Sequence, residues 1–344
     1  MVSIPPDTGE KILTEGSDAI ITESSDNLIQ EFFAWTYYEF GDHENGQFID
    51  VTFSIDSSQN STESQEVDAL GYRTWYNRNP GFLWSGDGKH LYTPVKHDAP
   101  ENYWGIIDWE YATAWDLTSV RQSGTVEMIM DYGMGTMYGM KWDKNGNLVC
   151  LYVDINNDDY EYHGYDVNTP YKISGEGTFT SADRVAIATG YDNEGRSLYV
   201  DDTAFLLVKY STDKIMKWGV LANGMPDFAG GIQQEVPFPD RPVGMGLTAG
   251  WAHFYDSGNK LVCGAGTGGS GIWYGLKRYD LSTPYDLTTI GTLIEHIPFD
   301  ASTTNYGYNY GAPMDFQWNY NGTKYYWGGS QSGWGAVSQV STST

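Results

Sequence analysis

Few residues of this chain stand in an arrangement that could do chemistry. The six histidines, at positions 43, 90, 97, 163, 253 and 296, follow no metal-ligand spacing, and neither H-E-x-x-H nor C-x-x-C occurs. Gly268-Gly269-Ser270-Gly271 lacks the strand, G-x-S-x-G and helix frame that exposes a nucleophile. Asp154-Ile155-Asn156-Asn157-Asp158-Asp159 opens like a calcium loop, with Asp154, Asn156 and Asp158 as oxygen donors. Its sixth position is Asp159 where the turn needs Gly, and its twelfth is Tyr165 where a bidentate Glu belongs. A solvated hairpin tip explains it as well. Asp108 and Glu110 could act as the paired acids of glycoside hydrolysis, which work about 5–10 Å apart. Among 45 acidic residues, however, some such pair always occurs. The expectation is a chain that is not an enzyme and needs no cofactor, calcium being the one ion with any claim.

The aromatic residues read more sharply. His97 to Trp115 carries Tyr103, Trp104, Trp109 and Tyr111 on what looks like a long loop, and Gly264 to Trp273 is a glycine-rich one. Flat indole and phenol faces stack on sugar rings and anchor protein interfaces, and long loops on a rigid scaffold are where binding residues collect. Trp104, Trp109, Tyr111, Trp273 and Trp334 are therefore the candidate contacts for a glycan or a partner protein. Trp84, Trp142 and Trp318 sit in strand-like phrases and are expected in the core.

The elements that position these residues recur. A hydrophobic strand, a turn ending in Gly and a short apolar strand appear at Phe82 to Tyr92, Met140 to Cys150, Tyr191 to Val200, Phe254 to Cys263 and Phe316 to Trp327. The aligned glycines are 88, 146, 195, 258 and 322, at intervals of 58, 49, 63 and 64. Asp-Gly and Asn-Gly turns mark hairpins, because the tight turn needs positive φ. Downstream comes a second phrase, Tyr279-Asp280-Leu281-Ser282-Thr283-Pro284-Tyr285-Asp286-Leu287-Thr288-Thr289, matched at Tyr165 to Tyr171 and more weakly at Trp115 to Ser119 and Tyr210 to Asp213. The fourth strands are placed at Thr125-Met130, Thr178-Ser181, Trp218-Leu221 and Thr292-His296. Four antiparallel strands every ~40–60 residues spell a propeller blade. The fold expected is all-β: a β-propeller of about six four-stranded blades, five or seven being the alternatives, spanning 33–344, with an extended β arm over 1–32. A sandwich with irregular hairpins is the competing fold. The last unit ends on Ala336 to Val340 as a third strand, so an N-terminal strand should complete the ring and remove its exposed edges. Phe48 to Ile55 alternates as a strand should, and 33–78 holds enough for most of one further blade. Cys150 and Cys263 fall at equivalent strand positions two units apart, too far for a bridge that needs Cα atoms within ~7 Å.

This phrasing resembles the D-G-x-x-[LM]-Y … Y-D-L-S-T-P-[WY]-D blades of β-propeller virion proteins of tailed bacteriophages, marine ones especially. The resemblance covers about residues 79 to 344, and the third unit departs from it, with Tyr210-Ser211 and no proline. What the resemblance implies is a multi-copy virion component of tail, fibre or capsid decoration. The arm repeats every eight residues: Ile12-Leu13, Ile20-Ile21 and Leu28-Ile29, each followed by a polar residue and Glu. Such arms look like virion anchoring segments, which implies other virion proteins as partners of Ile12, Leu13, Ile20, Ile21, Leu28 and Ile29. A flexible tail is the plainer reading. Three roles compete: a displayed propeller that attaches to host-surface glycan, a structural spacer, and a secreted or surface carbohydrate-binding or carbohydrate-active propeller enzyme.

Charge narrows the partners. With 19 basic against 45 acidic residues the net charge is −26, which disfavours nucleic-acid phosphate and anionic membranes alike. No signal peptide and no run of about 20 apolar residues is visible, so membrane insertion is not expected.

Overall fold

The computed structural model describes residues 12–13, 20–21, 49–54, 62–70, 72–73, 81–97, 103–132, 137–153, 160–173, 177–178, 182–188, 198–209, 212–240, 249–266, 273–297, 313–319, 322–331 and 334–342. They form a five-bladed β-propeller, each blade a four-stranded antiparallel sheet. From the axis outward, blade 1 runs Leu83–Trp84, His90–His97, Tyr103–Glu110 and Thr125–Tyr132. Blade 2 runs Met137–Trp142, Leu148–Val153, Tyr160–Tyr165 and Arg184–Ala188. Blade 3 runs Tyr199–Val200, Phe205–Lys209, Lys214–Trp218 and Gln234–Pro237. Blade 4 runs Ala249–Tyr255, Lys260–Gly266, Trp273–Leu281 and Ile290–Ile297. Blade 5 takes Pro313–Trp318, Lys324–Gln331 and Trp334–Ser341 from the end of the chain and Ile49–Ser54 from near its start.

That last pairing closes the ring: Ala336↔Ser54, Val337↔Phe53 and Ser338↔Thr52 lie opposite one another. It also explains why there are five blades and not six. The alternating stretch at Ile49–Ser54 is the missing fourth strand of blade 5. Tyr72–Arg73 pairs with Lys96 and His97 as a second piece of blade 1's inner strand. Among the described residues no further strands remain for a sixth blade. Between Ile49–Ser54 and Tyr72–Arg73 lies a helix, Thr62–Ala69, which places Val67 in one apolar cluster with Trp84 and Trp109.

The hairpin glycines at 88, 146, 258 and 322 have φ of 69°, 78°, 81° and 69°. Gly195 lies outside the described residues, and the first hairpin of blade 3 turns instead at Asp201 to Ala204, between Tyr199–Val200 and Phe205–Lys209. The Asp201 carboxylate accepts from Thr203 N and Ala204 N at 2.6 Å each, doing with a side chain what glycine does elsewhere. Two of the expected fourth strands are likewise corrected. Gly177–Thr178 runs parallel to the outer strand of blade 1, and Trp218 ends a third strand. Arg184–Ala188 and Gln234–Pro237 take the outer places.

The second phrase folds back over the first. Trp115, Tyr171 and Tyr285 adopt φ near 60° and donate their N–H to the carbonyls of Gly88, Gly146 and Gly258 at 2.7–2.9 Å. A Cβ on Gly258 would sit 2.4 Å from the Tyr285 ring, so only glycine fits beneath it. Two of these phrases also lock to the preceding blade by the same bonds. Gln339 accepts from Leu117 N at 2.7 Å and donates to Asp116, as Gln234 accepts from Leu287 N at 2.9 Å and donates to Asp286.

Five apolar clusters fill the gaps between neighbouring blades. They join Trp84 to Tyr326, Tyr92 to Trp142, Tyr162 to Phe205, Leu206 to Phe254, and Trp251 to Phe316. The core is thus a ring of interfaces, as the sequence reading of Trp84, Trp142 and Trp318 requires; all three are buried. Cys150 and Cys263 are free and buried in the second strands of blades 2 and 4.

Candidate functional site

The aromatic candidates divide. Trp104 and Trp109 are fully buried and Tyr111 is 2% exposed. The segment read as a loop is the third strand of blade 1, and its indoles face the neighbouring sheets. Trp104 joins the cluster with blade 2 and Trp109 that with blade 5, and Trp109 Nε1 donates to Thr93 Oγ1 at 2.8 Å. A stacking ligand has no access to them, which corrects their assignment as binding residues. Trp273 and Trp334 begin strands, but their side chains lie outside the described residues, as do Asp154, Asn156, Asp158, Leu28 and Ile29. Ile12–Leu13 and Ile20–Ile21 pair with each other in a two-stranded sheet apart from the five blades. Asp108 is bound to His90 Nδ1 at 2.8 Å, and Glu110 accepts from Gln122, so each carboxylate is held by a partner of its own.

What the fold gathers instead lies on the axis, where all five inner strands contribute. Lys141 of blade 2 makes an ion pair with Asp315 of blade 5, reaching past blade 1, with its ammonium 6.0 Å from the Phe82 ring. His253 of blade 4 stacks at a tilt on Tyr199 of blade 3, ring centroids 5.2 Å apart. Trp251 and Tyr255, two residues either side in the same strand, flank it at 5.0 and 6.1 Å. The strands can approach this closely because glycine stands where they meet: a Cβ on Gly81 would lie 2.8 Å from the Gly139 backbone.

Burial sets the protonation of this cluster. Desolvation, and after it the Lys141 charge, hold His253 well below the ordinary imidazole range, so the ring is neutral. Desolvation lifts the Asp315 carboxyl above its usual range, against the pull of Lys141 and of a bond from Phe316 N at 2.7 Å. A bond from the Phe82 N–H also favours that charge. His253 Nδ1 lies 3.3 Å from the Tyr255 hydroxyl. Three buried polar atoms here have no protein partner: His253 Nε2, Asp315 Oδ2 and Trp251 Nε1. Buried polar atoms are normally satisfied; these three are joined by others in the inter-blade cores, among them Trp84 Nε1. Lys141 keeps 13% of its side chain exposed, which marks the solvent side of the cluster. Among the described residues no three His, Cys, Asp or Glu gather to hold a metal, and no helix is long and apolar enough to cross a membrane.

This cluster escaped the sequence reading because its members lie on different repeats and share no local motif. The only trace is that Lys141, His253 and Asp315 are ionisable residues inside inner-strand phrases that are mostly apolar.

No family model and no curated protein sequence matches this chain. Among solved structures it is similar to the exo-beta-1,3-galactanase of Phanerochaete chrysosporium with galactose, at 10% identity and a TM-score of 0.47 over 76% of this chain and 60% of that one. It is similar to the periplasmic gluconolactonase of Pseudomonas aeruginosa at 14% identity and a TM-score of 0.39, over 76% and 69% of the two chains. A DUF4623 family protein of Bacteroides eggerthii aligns at 12% and 0.42, over 81% and 61%. The chain thus spans less than two thirds of the galactanase and of the Bacteroides protein. At such identities the likeness concerns the fold alone. It overturns one expectation, that the chain is not an enzyme. Structures similar to it are named as a galactanase and a lactonase, so that expectation is withdrawn.

Proposed function

We propose that the chain is a carbohydrate-active propeller whose site is the axial cluster. The observation that carries this is the convergence of Lys141, His253 and Asp315 from three blades onto one axis, with the Lys141 side chain reaching solvent. The chemistry that fits is hydrolysis of a sugar lactone or acyl ester. Glycoside hydrolysis in its usual form needs two carboxylates, and this cluster offers one. A neutral imidazole can take a proton from water as it adds to a carbonyl carbon. The Lys141 ammonium can face the oxygen on which negative charge develops. The proton then passes from His253 to the departing alkoxide, leaving acid and alcohol. Asp315 is the positioning residue that holds Lys141 in place.

The test is turnover of sugar lactones and acetylated sugars by the full chain, by His253→Asn and by Lys141→Met, with folding checked by circular dichroism. Loss of about 100-fold or more in kcat/KM in both folded variants is expected, the range of a lost base or a lost oxyanion partner. Unchanged turnover in both would sink the axial assignment.

A second reading concerns attachment, and the separate hairpin of Ile12–Leu13 and Ile20–Ile21 favours it. That hairpin would tether the ring to a larger particle, as a virion protein requires. Deleting residues 1–32 should abolish incorporation into such a particle and leave axial turnover unchanged; full incorporation of the truncated chain would refute the tether.

A further inference from the structure

The outer edge of a blade presents a row of backbone N–H and C=O groups that invites another strand unless something guards it. Among the described residues four of the five blades have a guard. Gly177–Thr178 lies along the edge of blade 1. The outer strand of blade 3 has four residues, carries Glu235 bound to Lys214 and ends on Pro237. That of blade 4 breaks register twice, between Arg278 and Tyr279 and between Tyr279 and Leu281. That of blade 5 breaks register once and holds Asp50. Covering segments, prolines, charges and bulges all keep an edge from pairing.

Blade 2 shows none of these among the described residues. Arg184–Ala188 runs against Tyr160 to Gly164 in unbroken register. Its sequence, R-V-A-I-A, has no proline, and its one charge is engaged within the chain: Arg184 pairs with Asp143 at 2.9 Å and with Asp166 at 3.4 Å. Ala186 packs on the cluster shared with blade 3. Val185 and Ile187, on the opposite face, are 51% and 49% exposed. Their cross-strand neighbours, His163 and Glu161, bind each other at 2.8 Å.

We infer that this edge is a homodimer interface, in which Arg184–Ala188 pairs antiparallel with the same strand of a second copy about a two-fold axis through Ala186. In that register the strand is its own complement. Val185 falls opposite the partner's Ile187, and Ile187 opposite the partner's Val185. Aliphatic pairs of this kind stabilise a ladder, and both copies use one patch, as two-fold symmetry requires. The chain's own arm does not fit the edge, because Ile12–Leu13 and Ile20–Ile21 are two residues each and already pair with one another. A five-residue ladder is a small interface, so a dissociation constant on the order of 10 µM is expected. Each copy carries −26, so the dimer should tighten as salt screens the repulsion.

The experiment is sedimentation of the full chain from about 1 to 200 µM, a span on either side of that constant, at low and at physiological salt. The native chain should pass from monomer to dimer. Ile187→Lys and Val185→Lys each put a charge on the edge at a half-exposed position. Each should keep its circular dichroism and associate at least about tenfold more weakly. The chain lacking residues 1–32 should dimerise as the native chain does. A native chain that stays monomeric throughout would overturn the inference. So would a dimer that survives both lysine variants, one that loosens as salt rises, or one lost with the arm while the edge is intact.

Discussion

His90 and His253 sit in the same ring and are pushed in opposite directions. His90 is disfavoured as a cation by burial, but the bond and charge of Asp108 outweigh this and raise it. Its contribution to stability is whole below the unfolded value of about 6.5 and fades as pH rises through the raised folded value. Relative to His90→Asn, the native chain should therefore lose melting temperature as pH goes from about 6 to about 9. His253 is lowered, so its contribution is present above about 6.5 and fades as pH falls. Relative to His253→Asn, the native chain should lose melting temperature on acidification. The same sign for both differences would show that one of the two environments is misread. The Lys141–Asp315 pair gives a further prediction at this scale. Truncating one partner, as in Asp315→Leu, should cost about 3–5 kcal/mol, because it strands a buried ammonium, and adding Lys141→Met should recover most of that. Urea midpoints of the two single variants and the double variant measure it.

The turn and its covering aromatic make up the unit of each blade, and the prediction at this scale concerns that unit. Gly258→Ala forces positive φ on a side chain beneath the Tyr285 ring. A loss of more than about 1 kcal/mol is expected, with the denaturant slope unchanged. Gln339→Ala and Gln234→Ala remove equivalent acceptors from Leu117 N and Leu287 N, so each should cost about 1–3 kcal/mol, and by similar amounts. Much of this element was legible in advance. Four of the five glycine turns fold as hairpins, because D-G and N-G phrases carry their backbone demand locally. The third escaped because Asp201 replaces glycine with a carboxylate that caps its own turn, a bond that no spacing rule announces.

For the molecule as a whole, closure matters most. Ile49–Ser54 is held to the last blade by pairing with Trp334–Ser341, and removing it leaves that strand with an open edge. A chain truncated through Ser54 should melt at least about 5 °C lower, and it should associate as concentration rises. A truncated chain that stays monomeric with unchanged melting would show that the ring does not depend on this strand.

The sequence determined the repeat, the four-strand content of a blade, the hairpin glycines, the core tryptophans and the separation of the cysteines. Each of these follows from backbone preference or burial within some ten residues of chain. The tertiary structure alone decided the number of blades, because one strand could be counted toward a sixth sheet or lent to the fifth. It alone buried Trp104 and Trp109, and it alone brought Lys141, His253 and Asp315 together. These outcomes rest on contacts between residues more than a hundred positions apart in some cases, such as Lys141 with Asp315. Ring closure creates such contacts, and no local pattern encodes them.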